Sequence, residues 1–210
     1  MYAKNTWEKY KDQLNEVFDY NEDYKHYISK NKTERACVKD SIKLAEEKGF
    51  KPLESFDTLK SGDKVYVTNR GKNIALFIIG KKPLTEGMRI LGAHIDSPRM
   101  DLKQNPLYES EGFTLADTHY YGGIKKYQWV TIPLSLYGVV CKKDGTVVDV
   151  VIGEDENDPV VGISDLLIHL SADQLDKKAA KVIEVPAVTS SVAVDSKPEK
   201  TASFNWAVGY

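Results

Sequence analysis

The sequence lacks an excess of charge of either sign. Its 29 lysine and arginine residues are nearly balanced by 31 aspartate and glutamate residues, which gives a formal net charge of -2. Proteins that bind nucleic acid or anionic membrane surfaces usually carry a basic excess or a basic patch. The two signs are interspersed here, so we expect no nucleic-acid partner and place the function in a local site.

Cysteine is scarce, and long apolar runs are absent. The two cysteines, Cys37 and Cys141, are far apart, which favours two buried thiols over a disulfide or a metal-binding pair. The longest apolar stretch, residues 74–79, is too short to cross a bilayer. The first residues show no signal-peptide pattern. These features predict a cytoplasmic protein with no membrane partner.

Several catalytic motifs are also missing. The sequence contains neither a phosphate-binding glycine loop nor the G-x-S-x-G motif of serine hydrolases. Nucleophilic chemistry and phosphate binding therefore have little support. Histidine is rare as well, which limits the candidates for acid–base or metal chemistry to His26, His94, His119 and His169.

The first hundred residues combine helix and strand patterns. Residues 6–28 carry apolar side chains at helical spacing. A second helix is predicted from Thr33, a suitable N-cap, to Gly49, which suits the left-handed position after a helix. Residues 64–68 and 73–79 flank a strong turn signal and predict a β-hairpin.

A further strand is predicted at residues 88–93. Its apolar residues do not alternate cleanly with polar ones, which is typical of a strand covered on both faces of a sheet. His94 follows at the C-terminal end of this strand. In open α/β sheets the carboxyl ends of the strands line the ligand crevice, so the position alone makes His94 a candidate for function.

From about residue 101 the sequence becomes rich in strand and turn signals. The expected breaks are Asn105-Pro106, Gly112 and Gly122-Gly123. The predicted elements, two strands and then two short helices, are residues 127–140, 146–152, 165–170 and 172–183. The last segment, residues 185–210, has a different composition, with small and β-branched residues followed by an aromatic-rich end.

The sharpest local signal is the pair His94 and Asp96. A histidine that binds zinc through one ring nitrogen usually donates the other N–H to a carboxylate, which fixes its tautomer. Asp96, two residues after His94, is placed to be that carboxylate. The same spacing is compatible with a histidine that caps the end of a strand, so the residues alone leave both interpretations open.

The remaining histidines also have open interpretations. Residues 117–129 contain His119 and paired glycines, which suit either a loop at the mouth of an active site or a glycine-kinked entry into a β module. His169 lies among aliphatic residues, and this pattern alone favours a buried core histidine. His26 lies in the polar part of the first helix and is expected at the surface.

Three long motifs carry a family resemblance. They lie within residues 91–109, which begin LGAHIDSPR, residues 118–129, which read THYYGGIKKYQW, and residues 153–170, which begin GEDENDP. In this order they resemble the M18 family of aminopeptidases, and in particular its bacterial aminopeptidase I-like branch. The resemblance covers about residues 1–184.

The resemblance implies a zinc metalloexopeptidase that removes N-terminal residues from peptides. It also implies an α/β fold in which part of a metallo-aminopeptidase catalytic domain, residues 1–100, is followed by a β-rich inserted oligomerisation domain, residues 101–184. Residues 185–210 would then be a divergent tail. The implied partners are peptide substrates and further copies of the chain in a homo-oligomer.

Three residues acquire roles from the resemblance. His94 matches the first metal-binding histidine of the family, and Asp96 matches the carboxylate that orients it. His169 matches a histidine of the inserted domain, described either as a metal ligand or as a substrate contact that reaches a neighbouring subunit. Sites of this kind use two zinc ions to polarise the scissile carbonyl and lower the pKa of a bridging water, with a glutamate as general base.

The other metal ligands of the family are not evident in this sequence. They would come after the inserted domain, but no histidine follows His169 and no adjacent glutamate pair follows Glu46-Glu47. A catalytic zinc needs about three protein ligands. We therefore expect no peptide hydrolysis by this chain alone. Two alternatives follow, a non-catalytic oligomerisation or regulatory module and a mononuclear metal-binding protein without a peptidase role.

Overall fold

The chain divides into two compact units, Met1–Asp96 and Ser97–Tyr210. Its structure, a computed structural model, describes residues 5–110, 112–176, 187–190 and 204–209. The first unit contains a three-stranded sheet and the second a seven-stranded sheet. The predicted mixture of helices and strands is confirmed.

The helices and strands have the following bounds. The described elements of the first unit are α1 (Thr6–Lys9), α2 (Leu14–Lys30), α3 (Glu34–Glu47), β1 (Lys51–Pro52), β2 (Lys64–Asn69) and β3 (Asn73–Ile78). Those of the second unit are β4 (Arg99–Ser110), β5 (Phe113–Tyr121), β6 (Ser135–Cys141), β7 (Val147–Ile152), β8 (Val161–Gly162), α4 (Ala172–Leu175), β9 (Ala187–Ser190) and β10 (Phe204–Gly209). Of the helices described, none is long and apolar enough to cross a membrane.

The helix predicted at residues 6–28 is split in two. Helix α1 is capped by Asn5, whose side-chain oxygen accepts a hydrogen bond from the Trp7 backbone N–H at 3.1 Å. It ends at Tyr10, where φ is -108° and ψ is 17°, and a 3₁₀ turn over Lys11–Gln13 precedes α2. The prediction of one continuous helix is wrong, because side-chain periodicity does not register a short change in backbone hydrogen bonding.

Helix α3 begins and ends where the sequence predicts. Thr33 is the N-cap, and its side-chain oxygen accepts a hydrogen bond from the Ala36 backbone N–H at 3.2 Å. Gly49 follows the helix with a φ of +84°, a left-handed conformation that strains any residue with a side chain. The Phe50 backbone N–H then donates to the Ala45 carbonyl at 3.0 Å, which closes the last turn.

The predicted hairpin is confirmed as β2 and β3, which pair antiparallel, while β1 pairs parallel with β2. The turn between β2 and β3 is joined to the N-terminus of α3. The Arg70 carbonyl accepts a hydrogen bond from the Arg35 guanidinium at 3.0 Å, and Lys72 forms an ion pair with Glu34 at 3.2 Å. These contacts link the start of α3 to the turn of the hairpin.

Residues 88–93 do not form the predicted strand. They have no regular secondary structure, and the side chains of Met88, Ile90 and Leu91 are 57%, 78% and 101% exposed. A strand needs a neighbour that satisfies its backbone hydrogen bonds. Among the described strands of the first unit, β3 pairs only with β2, and none pairs with residues 88–93. The prediction of a covered strand is therefore wrong for this chain.

The sheet of the second unit has the strand order β7-β6-β10-β4-β5-β9-β8, and every adjacent pair in it is antiparallel. Leu134, just before β6, also bridges Val161 of β8. The buried apolar cluster of this unit consists of Met100, Trp129, Leu134 and Ile163. Its core therefore combines residues from β4, the segment before β6 and the segment after β8.

Strand β4 continues through the break predicted at Asn105 and Pro106. The register between β4 and β5 shifts between Leu102 and Leu107, which is a β-bulge or similar irregularity. A proline cannot donate a backbone hydrogen bond, and a bulge lets it remain within a strand. The prediction of a chain break is therefore wrong, and the turn between β4 and β5 lies at Gly112 instead.

The two strands predicted after residue 120 have different outcomes. The strand at residues 146–152 is confirmed as β7, and the Lys142 backbone N–H donates to the Thr146 carbonyl at 2.8 Å to close the preceding turn. The strand at residues 127–140 is wrong in its first half. Residues Lys126–Gln128 form a 3₁₀ turn there, and β6 begins later.

The two predicted helices are shorter than expected. Residues 165–170 contain a 3₁₀ turn at Ile168–Leu170, so the prediction of an α-helix there is wrong. The helix predicted at residues 172–183 begins as α4, and residues 177–183 lie outside the described residues. The Ser171 hydroxyl donates to the Ile168 carbonyl at 3.2 Å, and the start of α4 has no side-chain cap.

The two cysteines differ in their surroundings. Cys37 in α3 is buried, as predicted, and its thiol donates to the Asn31 carbonyl at 3.4 Å. Cys141 is the last residue of β6 and is exposed, so the prediction of a buried thiol is wrong for it.

Two segments of the last 26 residues, 185–210, are strands of the second sheet. Strand β9 pairs with β5 and β8, and β10 lies between β4 and β6. The assignment of residues 1–100 to a catalytic part, 101–184 to an inserted domain and 185–210 to a tail stays a prediction.

We expect the substitution Thr33→Ala to destabilise the first unit. It removes the oxygen that accepts the Ala36 N–H, and loss of a threonine N-cap costs roughly 1 kcal/mol of folding free energy. Urea unfolding followed by circular dichroism measures this loss. Thr33→Ser keeps the hydroxyl and is expected to unfold close to the unmodified chain. Equal stability of the alanine variant and the unmodified chain would contradict the stabilising role of Thr33 as the N-cap.

Candidate functional site

The predicted pair, His94 and Asp96, is in direct contact. The Nδ1 atom of His94 lies 3.0 Å from the backbone carbonyl oxygen of Asp96 and 3.3 Å from its carboxylate Oδ1. The two residues lie in a stretch, residues 87–98, that has no regular secondary structure. The histidine and the carboxylate that the sequence paired are thus held side by side by one short segment.

The neighbours of Nδ1 determine which ring nitrogen of His94 carries the proton. A carbonyl oxygen can only accept a hydrogen bond, so a hydrogen bond between it and the neutral ring requires the proton on Nδ1. The lone pair then lies on Nε2, the nitrogen that can coordinate a metal ion. Metal-binding histidines are commonly held by an acceptor, often a carboxylate or a carbonyl, at the nitrogen that does not bind the metal.

The ring of His94 is open to solvent. Its side chain is 86% exposed, and that of Asp96 is 40% exposed. Residues 87–98 around the pair have no regular secondary structure. The orientation of His94 therefore depends on its contact with Asp96 rather than on a packed environment.

The residues that follow Asp96 are held by contacts within the second unit. Arg99, the first residue of β4, is buried, its Nε donates to the Asp101 carboxylate at 2.8 Å, and its guanidinium lies over the Tyr121 ring at 4.0 Å. Pro98 packs against Gly122, where an added Cβ would lie 3.5 Å from the Pro98 Cα. Sequence patterns did not single out this cluster, although the alternation of Arg99 and Asp101 places both on one face of a strand.

The structure favours the glycine-kinked interpretation of residues 117–129. Strand β5 extends to Tyr121, and Gly122 follows with a φ of +75°. His119 is exposed within β5, and its ring centroid lies 5.9 Å from that of Tyr120. Residues 117–121 are thus strand rather than loop, and the alternative of a loop at the mouth of an active site stays a prediction for the residues after β5.

His169 lies in the 3₁₀ turn Ile168–Leu170 of the second unit, with an exposed side chain. The interpretation of His169 as a buried core histidine is therefore wrong. His94 belongs to the first unit, so neither unit by itself brings the two candidate ligands together.

The described residues do not form a complete zinc site. Among them, no group of three or more histidine, cysteine, aspartate or glutamate side chains is arranged to hold a metal ion. A catalytic zinc needs about three protein ligands. The contact between His94 and Asp96 has the geometry of one histidine ligand and its orienting partner.

The geometry predicts the tautomer of His94. Long-range ¹H–¹⁵N NMR spectra at a pH where the ring is neutral are expected to show the proton on Nδ1, because Nδ1 faces two oxygen acceptors. Added zinc is expected to shift the Nε2 resonance. The spectrum of a His94→Gln variant assigns the signals. A ring that is protonated mainly on Nε2 would contradict the proposed orientation.

A family model described as aminopeptidase I zinc metalloprotease (M18) matches residues 27–205. The match reaches beyond residue 184, where the resemblance of the motifs was expected to end. The "Probable M18 family aminopeptidase 1" of Clostridium acetobutylicum is 60% identical over 186 residues, which cover 86% of this chain and 40% of that relative.

Solved structures agree with this match. The crystal structure of aminopeptidase I from Clostridium acetobutylicum has a TM-score of 0.77 and 57% identity, covering 90% of this chain and 43% of that one. The crystal structure of an M18 aminopeptidase from Thermotoga maritima has a TM-score of 0.84 and 36% identity, covering 99% of this chain and 50% of that one.

The chain spans less than half the length of the curated relative and at most half of each solved chain. Within that span, the identity and the family match extend across both of its units. The chain belongs to the M18 family of aminopeptidases.

Proposed function

We propose that this chain supplies one ligand of the zinc site of an M18 aminopeptidase, together with the residue that orients this ligand. In this proposal His94 binds zinc through Nε2, and the oxygens of Asp96 orient the ring. The observation that carries the proposal is the contact of His94 Nδ1 with Asp96, 3.0 Å to the carbonyl oxygen and 3.3 Å to the carboxylate. The description of the family as a zinc metalloprotease supports zinc as the metal.

The chemistry of the site divides between the metal and the protein. Zinc, when bound, polarises a carbonyl group and lowers the pKa of a coordinated water. The residues of this chain would provide His94 as a zinc ligand and hold its ring in the required tautomer. By holding the ring proton on Nδ1, Asp96 keeps Nε2 unprotonated, and only an unprotonated nitrogen can coordinate a metal ion. The substrates of the complete site would be peptides with a free amino end.

We also propose a role for His169, either as a metal ligand or as a contact to the peptide substrate. The family resemblance and the exposed position of its side chain support this role.

The same proposal makes residues 101–184 the inserted domain through which the chain forms a homo-oligomer. The all-antiparallel sheet of the second unit supports a β-rich module of this kind. A cytoplasmic location stays a prediction of the sequence.

The second candidate function is a non-catalytic oligomerisation or regulatory module. The observation in its favour is that the described residues contain no group of three metal-binding side chains. A module of this kind would need neither zinc nor the contact between His94 and Asp96. The two candidates therefore differ in the expected effect of a substitution at His94.

The proposal is tested with a chimera in which this chain replaces the matched region of the Clostridium acetobutylicum relative. We expect the chimera to retain zinc after dialysis and to hydrolyse aminoacyl chromogenic substrates. His94→Ala is expected to abolish turnover and reduce the zinc content. Asp96→Ala removes the orienting carboxylate and is expected to lower zinc affinity or activity by about 10–100-fold.

The matched control is His26→Ala, which alters an exposed histidine of α2 and is expected to leave zinc content and turnover unchanged. Full activity of the His94→Ala chimera would contradict the ligand role. An inactive chimera beside an active parental enzyme would favour the non-catalytic module. The unmodified chain is expected to show no turnover, and turnover at the rate of the parental enzyme would contradict the need for further ligands.

The same chimera separates the two roles of His169. If His169 is a metal ligand, His169→Ala is expected to reduce the zinc content. If it contacts substrate, the variant is expected to keep its zinc and show a raised KM or a lowered kcat. Unchanged zinc content and kinetics would contradict both roles.

A further inference from the structure

His169 lies in an exposed segment that has two buried ends. Residues 164–170 are all exposed, whereas Ile163 before them and Ser171 after them are only 5% and 6% exposed. The regular structure of the segment is the 3₁₀ turn Ile168–Leu170. The orientation of His169 therefore depends on how the two ends are held rather than on packing around its own side chain.

The first end is held by the core of the second unit. Ile163 belongs to the buried apolar cluster that also contains Trp129 and Leu134. Its carbonyl accepts a hydrogen bond from the Thr131 backbone N–H at 2.8 Å. These contacts locate the start of the exposed segment, but residues 164–168 separate them from His169.

The second end is held next to His169 itself. The Ser171 hydroxyl donates to the Ile168 carbonyl at 3.2 Å, and this carbonyl belongs to the peptide bond between Ile168 and His169. Serine side chains often form such bonds to the backbone three residues earlier. The Leu170 backbone N–H donates to the Leu167 carbonyl at 2.8 Å and closes the same turn. One side-chain hydrogen bond therefore restrains the peptide that leads into His169.

The Ser171 hydroxyl serves this turn rather than the helix that follows. The sequence predicts Ser171 as the cap of α4, but the start of α4 has no side-chain cap. Burying a hydroxyl without a hydrogen-bond partner is unfavourable, and here the Ile168 carbonyl is the partner. The buried serine thus stabilises the turn that carries His169.

We propose that Ser171 is a positioning residue for His169. By restraining the Ile168–His169 peptide, its hydroxyl limits the directions in which the imidazole ring projects. A group that must meet a metal ion or a substrate atom has to be held within about 0.5 Å of its productive position. The proposal rests on the proposed function, because Ser171 acts on the reaction only through His169.

The first test is ¹⁵N relaxation of the full 210-residue chain. Ser171→Ala removes the donor and is expected to lower the order parameter of the His169 amide below about 0.6, the range of flexible backbone. Ser171→Thr retains a hydroxyl and is expected to keep the order parameter of the unmodified chain. An order parameter that Ser171→Ala leaves unchanged would overturn the proposal, as would an unmodified chain that is already this flexible at His169.

The matched control is Ser135→Ala. Ser135 is also a buried serine of the second unit, and its hydroxyl contacts the Gly153 carbonyl at 3.3 Å. Its loss is expected to leave the His169 amide as ordered as in the unmodified chain. Circular dichroism of each variant checks that the fold is retained. An equal gain of motion at His169 in both alanine variants would show a general loosening of the unit and overturn the specific role of Ser171.

The second test uses the chimera with the Clostridium acetobutylicum relative. Ser171→Ala is expected to lower kcat/KM by about 10–100-fold, through the same parameter, KM or kcat, that His169→Ala changes. The double variant His169→Ala/Ser171→Ala is expected to match His169→Ala alone, because a positioning residue has no effect once its target is absent. Ser171→Thr is expected to restore activity. Losses that add fully in the double variant would overturn the proposal.

Failure of the proposed function gives a different pattern. If His169→Ala leaves the zinc content and kinetics of the chimera unchanged, the role of His169 is refuted, and so is the positioning of His169 for the reaction. The relaxation data then show separately whether Ser171 orders the turn. If His169→Ala lowers activity but Ser171→Ala does not, only the positioning role of Ser171 is refuted.

Discussion

The apolar side chains of a β-sheet must be covered by a second layer, and the first unit meets this requirement on only part of its sheet. Helix α3 packs against β2 and β3, and its N-terminus is joined to the turn between them. The end of β3 and residues 88–93 have no such cover among the described residues. His94 directly follows residues 88–93, and its side chain is 86% exposed.

The contact between His94 and Asp96 does not depend on that layer. It joins residues two positions apart and therefore forms within one short segment. A complete zinc site has the opposite character, because its ligands come from several elements that the fold must bring together. This difference explains how the chain can form the contact between His94 and Asp96 while its described residues contain no group of three metal-binding side chains.

Local signals in the sequence predicted local structure correctly. The cap at Thr33, the helix end at Gly49 and the turn between β2 and β3 each depend on a few neighbouring residues. The errors concern partners that are distant in sequence. Residues 88–93 have the composition of a covered strand, but composition does not state whether the covering layer is present. Likewise, nothing in Phe204–Gly209 indicates that it pairs with both β4 and β6. The two-residue spacing of His94 and Asp96 predicted their contact, whereas their role at a zinc site rests on the family resemblance.

The central claim is that His94 binds zinc through Nε2 when the rest of the site is supplied. Anomalous diffraction at the zinc edge from crystals of the zinc-loaded chimera tests it most directly. The account predicts a zinc peak about 2.0–2.1 Å from His94 Nε2, with Nδ1 still in contact with Asp96. A zinc ion bound only elsewhere, or bound through Nδ1 with the contact to Asp96 broken, would contradict it.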